Sequence, residues 1–135
     1  MTDPLGNVRK YFYGDSGALI QMDIDEVGLS TTTYINNIAH NAKGQRESIS
    51  YGNGTKTKYE YDPFTYRVKR IQTNDNTPFC YQDLNYWYDA VGNIVKIKDD
   101  AQQALYYNGA VVDPILKYTY DPLYRLDTIR GKGKK

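Results

Sequence analysis

The sequence predicts an all-β chain, an array of antiparallel β-hairpins that add side by side into a curved, twisted sheet, and three observations carry that expectation. The first is repetition: Tyr59-Glu60-Tyr61-Asp62-Pro63, Tyr86-Trp87-Tyr88-Asp89-Ala90 and Tyr118-Thr119-Tyr120-Asp121-Pro122 share the pattern Tyr-x-Tyr-Asp. In each, Arg or Asn and then Val, Ile or Leu follow within six residues of the aspartate, and self-similarity of this kind marks a repeat architecture. The second is alternation, because in Lys56-Thr57-Lys58-Tyr59-Glu60-Tyr61 the charged residues occupy one strand face and both tyrosines the other. The third is negative: no stretch sustains a helical period, and Gly, Asn, Asp and Pro recur too often for a long helix.

Taken in chain order, Asp3-Pro4-Leu5-Gly6-Asn7-Val8 is a degenerate copy without its tyrosines. Tyr11-Phe12-Tyr13-Gly14 is a second, with Gly14 in place of the aspartate, running into Gly17-Ala18-Leu19 and Met22. Asp23, Asp25 and Glu26 read as a solvated acidic loop, since they lack the glycine and closing glutamate of a calcium-binding loop. One more strand is expected through Thr31-Thr32-Thr33-Tyr34-Ile35. Asn41-Ala42-Lys43-Gly44-Gln45-Arg46 with Ile49 is a third degenerate copy, and Glu47 to Tyr51 alternates as a strand. Gly52-Asn53-Gly54 joins that strand to Lys56–Tyr61 with residues that accept the positive φ of tight hairpin turns.

Within each unit the aspartate closes the tyrosine strand, and its side chain is suited to accept backbone N–H groups in the turn. The aliphatic pairs Val68 and Ile71, Ile94 and Ile97, and Leu126 and Ile129 lie on the returning strands. Gly6, Gly17, Gly44 and Gly92 stand three residues after the aspartate position, where the turn needs a left-handed residue. Tyr124 takes that place in the last copy, and Thr65-Tyr66 adds a residue to the Asp62 copy, so both turns are expected to differ in shape. Thr73 to Gln82 reads as a loop with Asn74-Asp75-Asn76-Thr77-Pro78 at its tip. Asp99 to Asp113 carries a strand near Ala104 to Tyr107 and a turn at Asn108-Gly109.

The chain of 135 residues falls in the range of a single domain, expected over residues 1–135, with 131–135 as a flexible basic tail. A formal net charge of +1 argues against a dedicated nucleic-acid binder, and no window is apolar enough for a membrane span. Met1-Thr2-Asp3-Pro4 lacks the basic and apolar regions of a signal peptide. Cys80 is the single cysteine, so the sequence contains no internal disulfide. Fifteen tyrosines against three phenylalanines fit half-buried strand positions, where the ring packs and the hydroxyl reaches a partner.

The pattern Tyr-x-Tyr-Asp-x-x-Gly-Asn/Arg-aliphatic, closest in Tyr86 to Ile97, resembles the YD or RHS repeat of bacterial secreted toxins and animal teneurins. The run from Asp89-Ala90-Val91-Gly92-Asn93-Ile94 through Asp99-Asp100-Ala101-Gln102-Gln103 to Tyr118–Leu126 is similar to the repeat region of insecticidal Tc toxin complex B and C components, leaning to the B component. That resemblance implies a hairpin strip spiralling into a hollow shell around a cytotoxic segment. It also implies secretion within a larger toxin and partners that are other YD-repeat segments of the same or a partner component. The autoproteolytic core of that family has no counterpart here: Asp3-Pro4-Leu5-Gly6 is followed by Asn7-Val8 in repeat register, so catalysis is not carried onto it.

The residues expected to matter are therefore structural: Tyr59, Tyr61, Asp62, Tyr86, Tyr88, Asp89, Gly92, Tyr118, Tyr120 and Asp121. The motif tyrosines pack along successive strands, and the motif aspartates, spread one per turn, cap turns in preference to binding a metal. Trp87, on the face opposite its two tyrosines, and Tyr107 are candidate contacts to a partner or a glycan. His40 and Cys80, each unique, lack the context of a nucleophile pair, and no phosphate loop or zinc spacing is present. The expectation is a non-enzymatic protein without cofactor or metal. The chain begins and ends in repeat register, which points to a piece of a longer strip that self-associates when isolated.

Overall fold

The computed structural model describes residues 1–103, 105–107 and 110–131, with side chains described for 1–103 and 112–131. Among them every regular element is a strand, and every described strand pairing is antiparallel. The chain divides into two compact units, Met1–Tyr59 with Thr73–Phe79 and Glu60–Gln72 with Cys80–Lys135. The expected turn at Asn108-Gly109, the tail beyond Gly131 and the side chain of Tyr107 lie outside the described residues.

In the first unit β1 (Val8–Tyr13), β2 (Leu19–Asp25), β3 (Thr32–His40), β4 (Arg46–Tyr51) and most of β5 (Lys56–Tyr61) pair in sequence order. The strand expected at Thr31 to Ile35 continues to His40, because Ile38 stands directly opposite Ile49 and both are buried. Thr57 continues this row opposite Ile49, and its buried hydroxyl shares a 2.8 Å hydrogen bond with that of Thr73. The acidic segment is not a loop. Asp23 and Asp25 end β2, and Asp25 pairs with Lys10 of β1 at 2.5 Å while accepting from the Thr31 hydroxyl at 2.7 Å. Alternation failed to announce this strand because its acids find partners on a neighbouring strand and turn.

In the second unit the order is the initial residues of β6 (Val68–Asn74), then β7 (Cys80–Tyr88), β8 (Ile94–Asp99), β11 (Ile115–Tyr120) and β12 (Leu126–Gly131). Between β8 and β11 the short strands β9 (Leu105–Tyr107) and β10 (Ala110–Val112) form a two-stranded sheet of their own. The loop expected over Thr73 to Gln82 shrinks to the residues between Asn74 and Cys80. The strands reach further in because the Asp75 carboxylate gathers the N–H and hydroxyl of Thr77 and tightens the turn.

Candidate functional site: turns and contacts between repeats

Each motif aspartate sits at the end of an outgoing strand and holds the turn after it. The Asp89 N–H donates to the Asn93 carbonyl at 3.0 Å and the Gly92 N–H to the Asp89 carbonyl at 3.2 Å. Its carboxylate then accepts from the N–H groups of Val91, Gly92 and Asn93 at 3.1, 2.7 and 2.8 Å, and from the Asn93 amide at 2.9 Å. Asp3 likewise accepts from the N–H groups of Leu5 and Asn7 and from the Asn7 amide, whereas Asn41 accepts the N–H groups of Lys43 and Gln45 and donates its own amide to the Gln45 side-chain oxygen. Gly14 has no side chain to offer, yet keeps the same two backbone bonds, to Ala18 and from Gly17.

The last copy overturns one expectation. Tyr124 adopts φ 61°, in the left-handed region that Gly92 occupies at φ 109°. The backbone bonds of Asp121 to Arg125 and of Tyr124 to Asp121, both 2.9 Å, match those around Asp89, so this turn has the same hydrogen-bond pattern as the glycine turns. Arg125 explains how: its guanidinium reaches the Asp121 carboxylate at 2.7 Å and adds a charged bond to those that hold the backbone. The Asp62 turn is longer by one residue, closing from Asp62 to Arg67, with Tyr66 at φ 58° taking the left-handed place. There the Asp62 carboxylate accepts the Thr65 N–H and hydroxyl at 2.7 and 2.9 Å.

A register slip marks the motif hairpins. Tyr13↔Leu19 is followed by Phe12↔Gln21, His40↔Arg46 by Ala39↔Ser48, Tyr88↔Ile94 by Trp87↔Lys96, and Tyr120↔Leu126 by Thr119↔Thr128. One extra residue therefore bulges from each returning strand, which bends the strand and strengthens its twist. The connecting hairpin at Gly52-Asn53-Gly54 keeps its register from Ser50↔Lys56 to Ile49↔Thr57.

The second tyrosine of the motif ties one repeat to the one before. The Tyr88 hydroxyl donates to the Val68 carbonyl at 2.7 Å, and the Tyr120 hydroxyl to the Ile94 carbonyl at 2.8 Å. Val68 and Ile94 hold equivalent places, the first aliphatic after the preceding turn. Burial pushes the Tyr88 hydroxyl above its usual titration range, with the nearby Arg67 guanidinium pulling the other way. Tyr59, Tyr61, Tyr86 and Tyr118 are half-buried, and the intervening Glu60, Trp87 and Thr119 are exposed.

Two arginines complete the contacts, and neither was singled out in the sequence. Arg67 lies 5.7 Å from the Tyr88 ring centroid and donates to the Val91 carbonyl at 3.3 Å. It covers Gly92 so closely that a β-carbon there would stand 2.3 Å from the guanidinium. Arg70 forms a two-pronged ion pair with the buried Asp83, both contacts at 2.6 Å, with Gln72 at 3.3 Å on the same carboxylate. Glu60 flanks Arg70 at 3.6 Å. The Arg70 bond holds the Asp83 carboxyl below the usual carboxylate range against the opposing pull of burial, and Asp83 in turn raises Arg70. The alternation that places Glu60 was legible, but nothing local shows that Asp83 faces Arg70 and Gln72.

Trp87 is 39% exposed, and the Lys96 ammonium stands 3.4 Å from its ring centroid, covering one face of the indole. Among the described residues no cluster of His, Cys, Asp or Glu is arranged to hold a metal ion. The arrangement fastens strand to strand.

No family model matches this chain. It is 31% identical to toxin subunit YenC1 of Yersinia entomophaga over 97% of its own length, and 30% identical to toxin subunit YenC2 over 96%. It superposes on part of the Photorhabdus luminescens Tc holotoxin pore with a TM-score of 0.80 at 34% identity over 93% of this chain. The chain is a YD-repeat protein related to Tc toxin components. The crystal structure of TcdB2-TccC3-TEV gives this YD-repeat chain a TM-score of 0.82 at 34% identity over 96% of its length. The chain spans 14% of each of the two relatives and 6% of each of these structures' chains. Both relatives are named as YenC subunits, against the lean of the sequence toward a B component.

Proposed function

We propose that this YD-repeat chain is a non-enzymatic wall segment of a toxin-complex-like protein, forming part of a β-shell that encloses a toxic cargo and is exported with it. The observation that carries the reading is the linkage between repeats: Tyr88 to Val68 and Tyr120 to Ile94 fasten each hairpin to the preceding one through backbone carbonyls. Such a contact serves an array that extends by addition of like units. The scarcity of buried apolar groups supports the same reading, since among the described residues only Ile38 and Ile49 are buried hydrophobics. A hairpin that cannot bury its own face is completed by neighbours.

Recognition of glycans by the exposed aromatics has less support, because Lys96 already covers one face of Trp87. The deciding experiment uses the full-length parent protein. Removal of Tyr86–Gly131 should render its enclosed segment sensitive to a protease that leaves it untouched in the intact protein. Equal resistance of both forms would overturn the container reading.

A further inference from the structure

The polar face of the second unit carries a row of cations that the contacts between repeats do not use. Lys96 of β8 lies directly opposite Lys117 of β11, and Lys117 directly opposite Arg130 of β12. Like charges at directly opposed positions destabilise a sheet. None of the three forms an ion pair with a described residue, and Lys117 and Arg130 are exposed. Trp87 stands at the end of the row, directly opposite Lys96. Beside the row, Ile115, Lys117, Arg130, Gly131 and Asp113 line a concavity of about 230 Å³.

We propose that Lys96, Lys117 and Arg130 form a docking surface for a short acidic polypeptide segment. From the first to the last cation the row crosses two strand spacings, roughly 9–10 Å, which an extended peptide covers in about three residues. Carboxylates two residues apart on one side of such a peptide lie about 6–7 Å apart, a spacing that the long side chains of Lys117 and Arg130 can meet, and Arg130 offers a planar fork to one of them. Ile115 supplies apolar contact for an intervening side chain. The acids around the row limit how long the anionic stretch is: Asp100 neutralises Lys98 beside Lys96, and Asp113 lines the same concavity as Lys117. A long sulfated glycan would run onto these carboxylates, whereas a short acidic segment stays among the cations.

Trp87 is the single tryptophan, so its emission reports directly on Lys96. The experiment titrates the intact chain with a peptide of alternating glutamate and leucine, the same peptide with glutamine for glutamate, and a heparin-derived oligosaccharide. The expected result is a saturable change in Trp87 emission with the glutamate peptide alone. Exposed charge contacts are individually weak, so replacing both Lys117→Gln and Arg130→Gln should weaken binding by about tenfold. A charge-preserving pair, Lys117→Arg with Arg130→Lys, should keep binding and guards against misfolding of the first variant. No saturable change, equal binding of the glutamine peptide, tighter binding of the oligosaccharide, or undiminished binding by a folded Lys117→Gln/Arg130→Gln protein would each overturn the proposal.

Discussion

The hydroxyl of Tyr120 donates a 2.8 Å hydrogen bond to the backbone carbonyl of Ile94, one repeat upstream. Tyr88 makes the equivalent bond to Val68, so the second motif tyrosine has a polar task in addition to packing its ring. Replacing the hydroxyl by hydrogen keeps the ring and removes the donor. Tyr88→Phe and Tyr120→Phe should each lower the unfolding free energy by about 1 kcal/mol in urea titrations. The neighbouring Tyr118→Phe serves as a comparison on the same strand, and a Tyr88→Phe protein as stable as the parent would show the bond to be dispensable.

Arg70 and Asp83 predict a different pattern of loss. Removing one partner of a buried, two-pronged pair strands the other charge, and Asp83→Ala should cost about 3 kcal/mol. That figure stands at the low end of such losses because the Arg70 side chain is 33% exposed and reaches water and Glu60. The double replacement Arg70→Met with Asp83→Leu should recover most of the loss, since two apolar side chains need no partner. Urea unfolding of the single and double variants decides the matter; equal loss in both would show that the network does more than neutralise itself.

Acid should weaken the fold through the same carboxylates. Backbone bonds from Thr65 and Arg125 lower Asp62 and Asp121 respectively, Arg70 lowers Asp83, and in Asp89 the bonds from Asn93, Gly92 and Val91 outweigh the upward push of burial. Each therefore titrates in the folded state below its unfolded value of about 3.9. The stability they contribute is fully present above that value and is lost as pH falls through the folded values. Thermal midpoints should accordingly be flat from neutrality to about pH 5 and drop steeply below about 4. Asp83→Asn should flatten part of that drop; an unchanged acid profile would remove Asp83 from the account.

The Asp89 turn and the hairpin joining β4 to β5 were legible because their causes are local. Asp89 needs only the N–H groups of Val91 to Asn93, and Gly52-Asn53-Gly54 lies between two alternating runs. The slipped register after Tyr88↔Ile94 was not legible, since a bulge is a property of two strands together. That slip also decides which side chain meets which: the pairing of Trp87 with Lys96 follows from it. Arg70 and Asp83 escaped for a related reason, with a loop between their strands and no turn chemistry tying one position to the other.

Gly92 and Tyr124 occupy the same place in successive turns, yet substitutions at them should have opposite signs. Tyr124 pays for its left-handed backbone, and Tyr124→Gly should remove a strain of roughly 1 kcal/mol. Gly92→Ala meets both a positive φ and the Arg67 guanidinium, so it should destabilise and displace Arg67 from Tyr88. Gly52→Ala should be worse than either, because the new β-carbon would stand 1.7 Å from the Thr33 carbonyl oxygen, an atom of backbone that cannot swing aside. Thermal melts of the three variants give the order directly, and a Gly52→Ala protein that melts with the parent would contradict the close approach.

Association of the isolated chain follows from its faces and edges. Among the described strands β12 is paired on one side only, by β11, and its Leu126 and Ile129 are 51% and 56% exposed. An edge with free backbone groups and an apolar face is a template for another strand. The expected outcome is a mass in sedimentation that rises with protein concentration. Ile129→Lys places a charge on that face, the device by which natural edge strands resist pairing, and should shift the equilibrium toward monomer. A parent chain that stays monomeric at every concentration, or an Ile129→Lys chain that associates as strongly, would show that β12 is not the surface through which copies meet.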